Sequence, residues 1–340
     1  MTQTFMAREI AEIPASIRAS IGDNRDRLAV LGDDIRALAP QLFVTVARGS
    51  SDHAAGYFKY ACEIMTGIPV ASVGPSVASV YDAKLRLPRS VALAISQSGQ
   101  SPDIVAMTRA ARGAGAMGVA LTNNPDSALA QESTHCLPLC CGPEYSVAAT
   151  KSFVASVVAG LELLAAWTED QALADALATL PDASEQALAC DWSALSDRLV
   201  RAPALYVLGR GAGYAIASEI ALKFKETSAI HAEAYSAAEV LHGPAALVER
   251  GFPVLGLICE DAAQDSFRDT ARRLQAQGAD LFVTDTLDGI GALPVVAPLH
   301  PLVDPLLRVV SFYGFIEALA RRRGLAPDSP RHLRKVTETV

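Results

Sequence analysis

At 340 residues the chain exceeds what one hydrophobic core usually serves, so two domains are expected. Apolar residues make up 51% and charged residues 19%, a balance that argues against intrinsic disorder. The net charge is −8 and the densest basic cluster is Arg321-Arg322-Arg323, which reads as a helix end, so binding to a nucleic-acid backbone is not expected.

Residues 1–40 read as one or two helices. Met1 to Glu12 lacks the apolar centre of a leader peptide. The most apolar stretch, Phe153 to Trp167, is broken by Glu162 and is too short to span a bilayer, so it reads as a buried helix. No membrane partner is expected, and the protein is expected to be cytoplasmic. From residue 41 a pattern repeats. Leu42-Phe43-Val44-Thr45-Val46 leads into Arg48-Gly49, and Leu205-Tyr206-Val207-Leu208 leads into Gly209-Arg210-Gly211. A helix follows each: Gly56 to Met65, and Ala215 to Glu226. Second strands come at Val91 to Ile95 and Val254 to Ile258. Helices ending at Gly115 and Gly278 then lead to third strands at Gly118 to Leu121 and Leu281 to Val283. This alternation predicts an α/β protein with two tandem domains, each a doubly wound, flavodoxin-like parallel sheet flanked by helices. The expected boundaries are 41–185 and 192–326, with a break at Pro181-Asp182 and a tail over 327–340.

The first copy carries a polar loop, Ser96-Gln97-Ser98-Gly99-Gln100-Ser101, between a strand and a helix beginning at Pro102. Small hydroxyls and free N–H groups at a helix N-terminus favour an anion, and Gly99 lets the backbone approach it. With Ser50 and Ser51, the loop would form a hydroxyl-lined cup at the carboxyl ends of adjacent strands, suited to a phosphate. The matching place in the second copy, Cys259-Glu260-Asp261-Ala262-Ala263-Gln264, carries acids that would repel one. Gly209-Arg210-Gly211-Ala212-Gly213 lacks the G-x-G-x-x-G spacing, so no dinucleotide is expected. Six cysteines form no CxxC pair, and no metal or other cofactor is expected.

Lys223 and Glu226 are three apart in a helical segment and share a face, which by itself describes an ion pair. His231, Glu233, Glu239 and His242 follow within twelve residues, and imidazoles among carboxylates suggest proton handling. Lys335 by itself reads as a solvated tail residue.

These motifs together resemble the isomerase half of glucosamine-6-phosphate synthase, which is built from two SIS (sugar isomerase) domains. The resemblance runs from Met6 to Pro14, through Arg48 to Ser51, Ser96 to Ser101, Val147 to Lys151 and Ala221 to Pro244, to Pro330 to Lys335. It implies that Ser51, Ser96, Gln97, Ser98 and Ser101 stand at phosphate- and sugar-binding positions, and Ser50, Val147 and Ala149 are substrate-binding candidates beside them. Glu226 matches the base that moves a proton between C1 and C2, and Lys223 a lysine assisting it. His242 matches the ring-opening histidine, contributed by the partner subunit, so a homodimer is implied. Lys335 matches the lysine that can form a Schiff base. Two departures point away from synthase activity: no glutaminase precedes the isomerase half, and Ala149 stands where the synthase has a serine. Both fit the SIS-type glucosamine-6-phosphate deaminases. The expected reaction converts glucosamine 6-phosphate to fructose 6-phosphate and ammonia, with a small aminosugar phosphate as the only partner besides the second subunit. Galactosamine 6-phosphate, a phosphorylated fructosamine, or a sugar-phosphate-sensing role are the alternatives.

Overall fold

The structure, a computed structural model, describes residues 3–335. The end of the expected tail, residues 336–340, lies outside the described residues, as do residues 1–2. Two parallel five-stranded sheets form. The first contains β1 (Leu42–Val46), β2 (Val70–Ser72), β3 (Ser90–Ile95), β4 (Ala116–Thr122) and β5 (His135–Pro138), in the order β2-β1-β3-β4-β5. The second contains β6 (Ala204–Gly209), β7 (His231–Ser236), β8 (Pro253–Gly256), β9 (Asp280–Val283) and β10 (Gly291–Ala292), in the order β10-β9-β8-β6-β7. Counted within its own half, each sheet has the order 2-1-3-4-5, the flavodoxin-like doubly wound arrangement.

The strands legible as apolar runs are the central ones. Every residue of β3 is buried, as expected of a strand covered on both faces. The strands not legible in the sequence, β2, β5, β7 and β10, lie at the sheet edges and read VAS, HCLP, HAEAYS and GA. Short or polar edge strands bury only part of their surface, so they leave no apolar run to detect.

The helices are α1 (Phe5–Ala11), α2 (Ile13–Asp23), α3 (Arg25–Leu38), α4 (Ser50–Thr66), α5 (Ser76–Ser79), α6 (Pro102–Gly113), α7 (Ala128–Gln131), α8 (Lys151–Thr168), α9 (Gln171–Leu188), α10 (Ser196–Leu199), α11 (Ala212–Ser228), α12 (Gln264–Ala276) and α13 (Asp304–Arg322). Three helices, not one or two, precede β1. Helix α9 runs through Pro181, where the sequence suggested a break; Leu177, Leu180, Ala183 and Ala187 are buried along it, and that burial outweighs the missing donor. Helix α8 has a mean hydropathy of 1.3 and is 89% buried, packing against α2, α3 and α4 as a core helix. Its Glu162 accepts a hydrogen bond from Ser20 Oγ at 3.2 Å. Burial pushes that carboxyl up to about 7, against the lowering effect of Ser20.

The chain forms two compact units, neither of them one continuous segment. One holds the first sheet: residues from Glu12 to Glu144, Ala149 to Pro181, and Arg334 with Lys335. The other holds the second sheet: residues up to Ala11, Tyr145 to Ala148, and Asp182 to Leu333. In the second-sheet unit, α1 is tied to α13 and the segment after it. Thr4 Oγ1 donates to Glu317 at 2.8 Å, and the Phe5 and Met6 N–H groups donate to the Asp328 carboxylate at 2.8 Å each. Glu9, 2% exposed, accepts from the N–H of Ser146 at 3.2 Å.

The duplication extends to backbone angles. Gly49 precedes α4 with φ 56° and ψ −132°, and Gly211 precedes α11 with φ 54° and ψ −133°. A positive φ of this kind strains any residue with a Cβ, so glycine stands at both corners.

Candidate active site

In the first-sheet unit, Val46 of β1 pairs with Ala94 of β3, so the segments leaving these two strands emerge side by side. This is the point where strand order reverses, and open α/β sheets bind ligands there. Ser50 and Ser51 form the first turn of α4, which begins earlier than the sequence pattern suggested. Ser96 to Ser101 connect β3 to α6, with Ser101 at the N-cap and Pro102 at the first helical position. Inside the loop, Ser96 Oγ accepts the Gly99 N–H at 3.2 Å, and Ser98 Oγ accepts the Gln100 N–H at 3.3 Å. Gln97 is anchored through its carbonyl, which accepts the Asn123 N–H at 3.1 Å. Arg48 reaches from the β1 segment to Asp103 in the first turn of α6, with Nε and Nη2 at 3.1 and 3.0 Å from one carboxylate oxygen. Asp103 is 1% exposed, whereas the Arg48 side chain is 54% exposed. The segments leaving β1 and β3 therefore carry hydroxyls, helix N–H groups and the exposed Arg48 side chain.

Gly99 holds the loop in place. Its φ is +63°, and an added Cβ would lie 2.2 Å from Ser127 Oγ and 2.8 Å from Thr122 Oγ1. Gly99→Ala is expected to force the loop off Ser127, at about 1–3 kcal/mol of strain. Titration with inorganic phosphate should then show roughly tenfold weaker binding, by 1.4 kcal/mol per decade. Unchanged affinity would mean that this loop does not hold the phosphate.

The same unit contains a carboxylate that no sequence pattern singles out. Glu144 is wholly enclosed and accepts from the N–H groups of Thr150 and Ser152 at 3.1 Å each, from Ser152 Oγ at 2.6 Å, and from Lys335 Nζ at 3.0 Å. Burial alone would raise its pKa, but the Lys335 charge and the hydrogen bonds outweigh it and hold the carboxyl below its ordinary value. Lys335 is thus held against a buried anion, with 28% of its side chain exposed. Next to Ser152 in sequence, Lys151 is 2% exposed and pairs with Glu12. Ala149 is half-buried next to Thr150, whose hydroxyl oxygen is buried without a hydrogen-bond partner. Val147 belongs to the other unit, where its N–H donates to the Asp328 carbonyl at 3.2 Å.

In the second-sheet unit, Lys223 is fully buried on α11. Its Nζ lies 2.5 Å from Glu226 and 3.3 Å from Glu219, one turn earlier on the same face. Glu219 is also fully buried and accepts from the Tyr313 hydroxyl at 3.5 Å. The i,i+4 spacing of Glu219 and Lys223 is visible in the sequence; the burial that makes it matter is not. Desolvation disfavours the Lys223 ammonium, yet the two carboxylates more than compensate and its pKa is raised. Lys223 is therefore a fixed cation, and Glu226, with 20% of its side chain exposed, is the open end of the triad. Glu226 lies in the last turn of α11, at the amino end of β7, not at the carboxyl ends of its own sheet. An anion near a helix C-terminus is disfavoured by the dipole, and Lys223 offsets that.

The His231, Glu233, Glu239 and His242 cluster is dispersed. His231 and Glu233 are exposed on alternate positions of β7, while Glu239 and His242 bound a 3₁₀ turn after it. His242 is exposed and its N–H donates to the Glu239 carbonyl at 2.9 Å. Glu233 lies near Tyr235, whose hydroxyl is pushed up to about 12 by burial and by that carboxylate.

The SIS domain family matches residues 40–166 and again 198–287, one copy on each sheet. The chain belongs to the SIS-domain family. It is 34% identical to the glutamine–fructose-6-phosphate aminotransferase (isomerizing) of Halobacterium salinarum, over 97% of this chain and 58% of that protein. The chain thus spans little more than half the length of that relative. Among solved structures, it is 50% identical, with a TM-score of 0.92, to a provisionally assigned phosphosugar isomerase of Silicibacter pomeroyi, covering 96% of this chain and all of that one. The C-terminal domain of glucosamine-fructose-6-phosphate aminotransferase from Francisella tularensis superposes with a TM-score of 0.84 at 25% identity, covering 97% and 99% of the two chains. This SIS protein thus resembles the isomerase half of those aminotransferases.

Proposed function

We propose that this SIS protein is an enzyme acting on sugar phosphates, and specifically a glucosamine-6-phosphate deaminase. The observation that carries the reading is the Glu219–Lys223–Glu226 triad: a buried lysine, whose charge two carboxylates favour, holds one enclosed carboxylate and presents a second, accessible one as a base. The serine loop at the β3–α6 junction takes the phosphate. His242 opens the pyranose ring. Glu226 removes the C2 proton and returns it at C1, turning the 2-amino aldose into the 2-imine of the ketose. Water adds to the imine, and loss of ammonia leaves fructose 6-phosphate. The C2 proton is acidic enough for a carboxylate only where the enolate oxygen is stabilised. Because Lys223 is enclosed between two carboxylates, we assign it to positioning Glu226, and assign the enolate charge to Lys335. The working form is taken to be a cytoplasmic homodimer, since the resemblance to the synthase's isomerase half implies a ring-opening histidine contributed by the partner subunit.

Purified protein is expected to release ammonia and fructose 6-phosphate in equal amounts from glucosamine 6-phosphate, with neither metal nor nicotinamide added. A substrate panel containing galactosamine 6-phosphate and a phosphorylated fructosamine identifies the epimer or adduct. Binding of all three without turnover would make the protein a sensor instead.

A further inference from the structure

The second-sheet unit has a cavity of about 500 Å³ at the carboxyl ends of its own strands, lined by residues following β8, β9 and β10 and by Arg308 of α13. That volume suits a small organic ligand. Arg308 is 3% exposed, and its Nε is buried without a hydrogen-bond partner. A buried guanidinium donor left unsatisfied is costly and calls for an explanation. Two carboxylates close to it in the fold are already engaged. Asp285 accepts from Arg268 at 2.7 and 3.2 Å and from the Thr286 N–H at 2.7 Å. Asp304, one turn before Arg308, accepts the N–H groups of Leu299 and His300 at 2.8 and 3.3 Å. Elsewhere the Arg308 guanidinium donates to the buried thiol of Cys259, which burial pushes up to about 12 and which cannot act as a counter-ion.

We propose that this cavity binds a small organic carboxylate, with the Arg308 guanidinium as its anchor. The carboxylate would supply the acceptor that Nε lacks, in the fork geometry that arginine favours. Leu293, Val296 and Pro298 line the cavity and would cover an apolar body. Glu260 lines it too and penalises a phosphate dianion more than a monoanion. The loop after β8 in this copy therefore repels phosphate, as its acids suggest, while the deeper Arg308 position selects a different anion.

The test is calorimetric titration of the full chain with benzoate, and separately with inorganic phosphate. Benzoate is expected to bind at one site per chain. Arg308→Gln should weaken it about tenfold or more, the loss of a charge-assisted pair. Val295→Trp, at a half-exposed position on the cavity wall, should weaken it without touching the buried charge. Thermal melts establish that both variants fold. Ser98→Ala/Ser101→Ala should leave benzoate binding unchanged and weaken only phosphate. This readout is binding and not turnover, so it stands or falls separately from the deaminase reading. Absence of benzoate binding, or binding unaltered in both folded variants, overturns the proposal. So does a site that takes phosphate through Arg308 but not benzoate.

Discussion

Glu226→Gln is expected to lower the rate of ammonia release from glucosamine 6-phosphate by about 10²–10⁴-fold, the contribution of a positioned general base. The substitution keeps the shape of the side chain and removes only its basicity. Inorganic phosphate should bind the variant as it binds the parent, because the serine loop belongs to the other compact unit. Solvent deuterium gives a second readout: the parent should incorporate label at C1 of the product, and the variant should not exchange the C2 proton of the substrate. Turnover within about threefold of the parent would remove Glu226 as the base and with it the mechanism.

Lys223→Met is expected to destabilise the fold by about 3–5 kcal/mol, more than Gly99→Ala or Glu226→Gln, since it leaves a buried ion partner uncompensated. Methionine fills nearly the same volume, so the loss reports charge and not a cavity. Glu219 is fully buried and would then lose the cation that pairs with it. The pH dependence has a definite sign. In the parent the folded-state pKa of Lys223 is raised, so the contribution of the lysine is fully present below the unfolded value of about 10.4 and is lost only as pH rises through the raised folded value. Urea midpoints for both proteins at neutral pH measure the deficit, which should narrow only as pH rises through the raised folded value of Lys223. A deficit below about 1 kcal/mol at neutral pH would show that the triad is not electrostatically coupled as its geometry implies.

The two variants separate the roles assigned to neighbouring residues on α11. Glu226→Gln should reduce turnover and leave stability nearly intact, since its carboxylate is partly exposed. Lys223→Met should reduce both, and activity measured on the folded fraction should fall because Glu226 loses its anchor. A positioning residue predicts that coupled loss; a residue acting only in the core predicts loss of stability alone.

Much of this molecule is legible in the order of its residues. The duplicated run of strand, glycine turn and helix sets the α/β class, because central parallel strands must be apolar on both faces and each crossover needs a turn that glycine allows. Leu42–Val46 and Ala204–Gly209 read clearly for that reason, as does the serine loop, whose hydroxyls, glycine and following proline are all local signals. The edge strands leave no such trace, and His231-Ala232-Glu233, which has the look of a proton-handling cluster, is half of one of them. What only the tertiary structure decided is which charged groups are shut away from water. Glu144 meets Lys335 across 191 residues of sequence, and Glu9 meets Ser146 across 137. Lys223 and Arg308 look like ordinary helix-surface cations by spacing, yet both are buried, one with two carboxylates and one with an unsatisfied Nε. Spacing along a chain specifies which side chains share a helix face. The energy of a charge depends on the solvent it has lost and the partners it has gained, and long-range packing sets both.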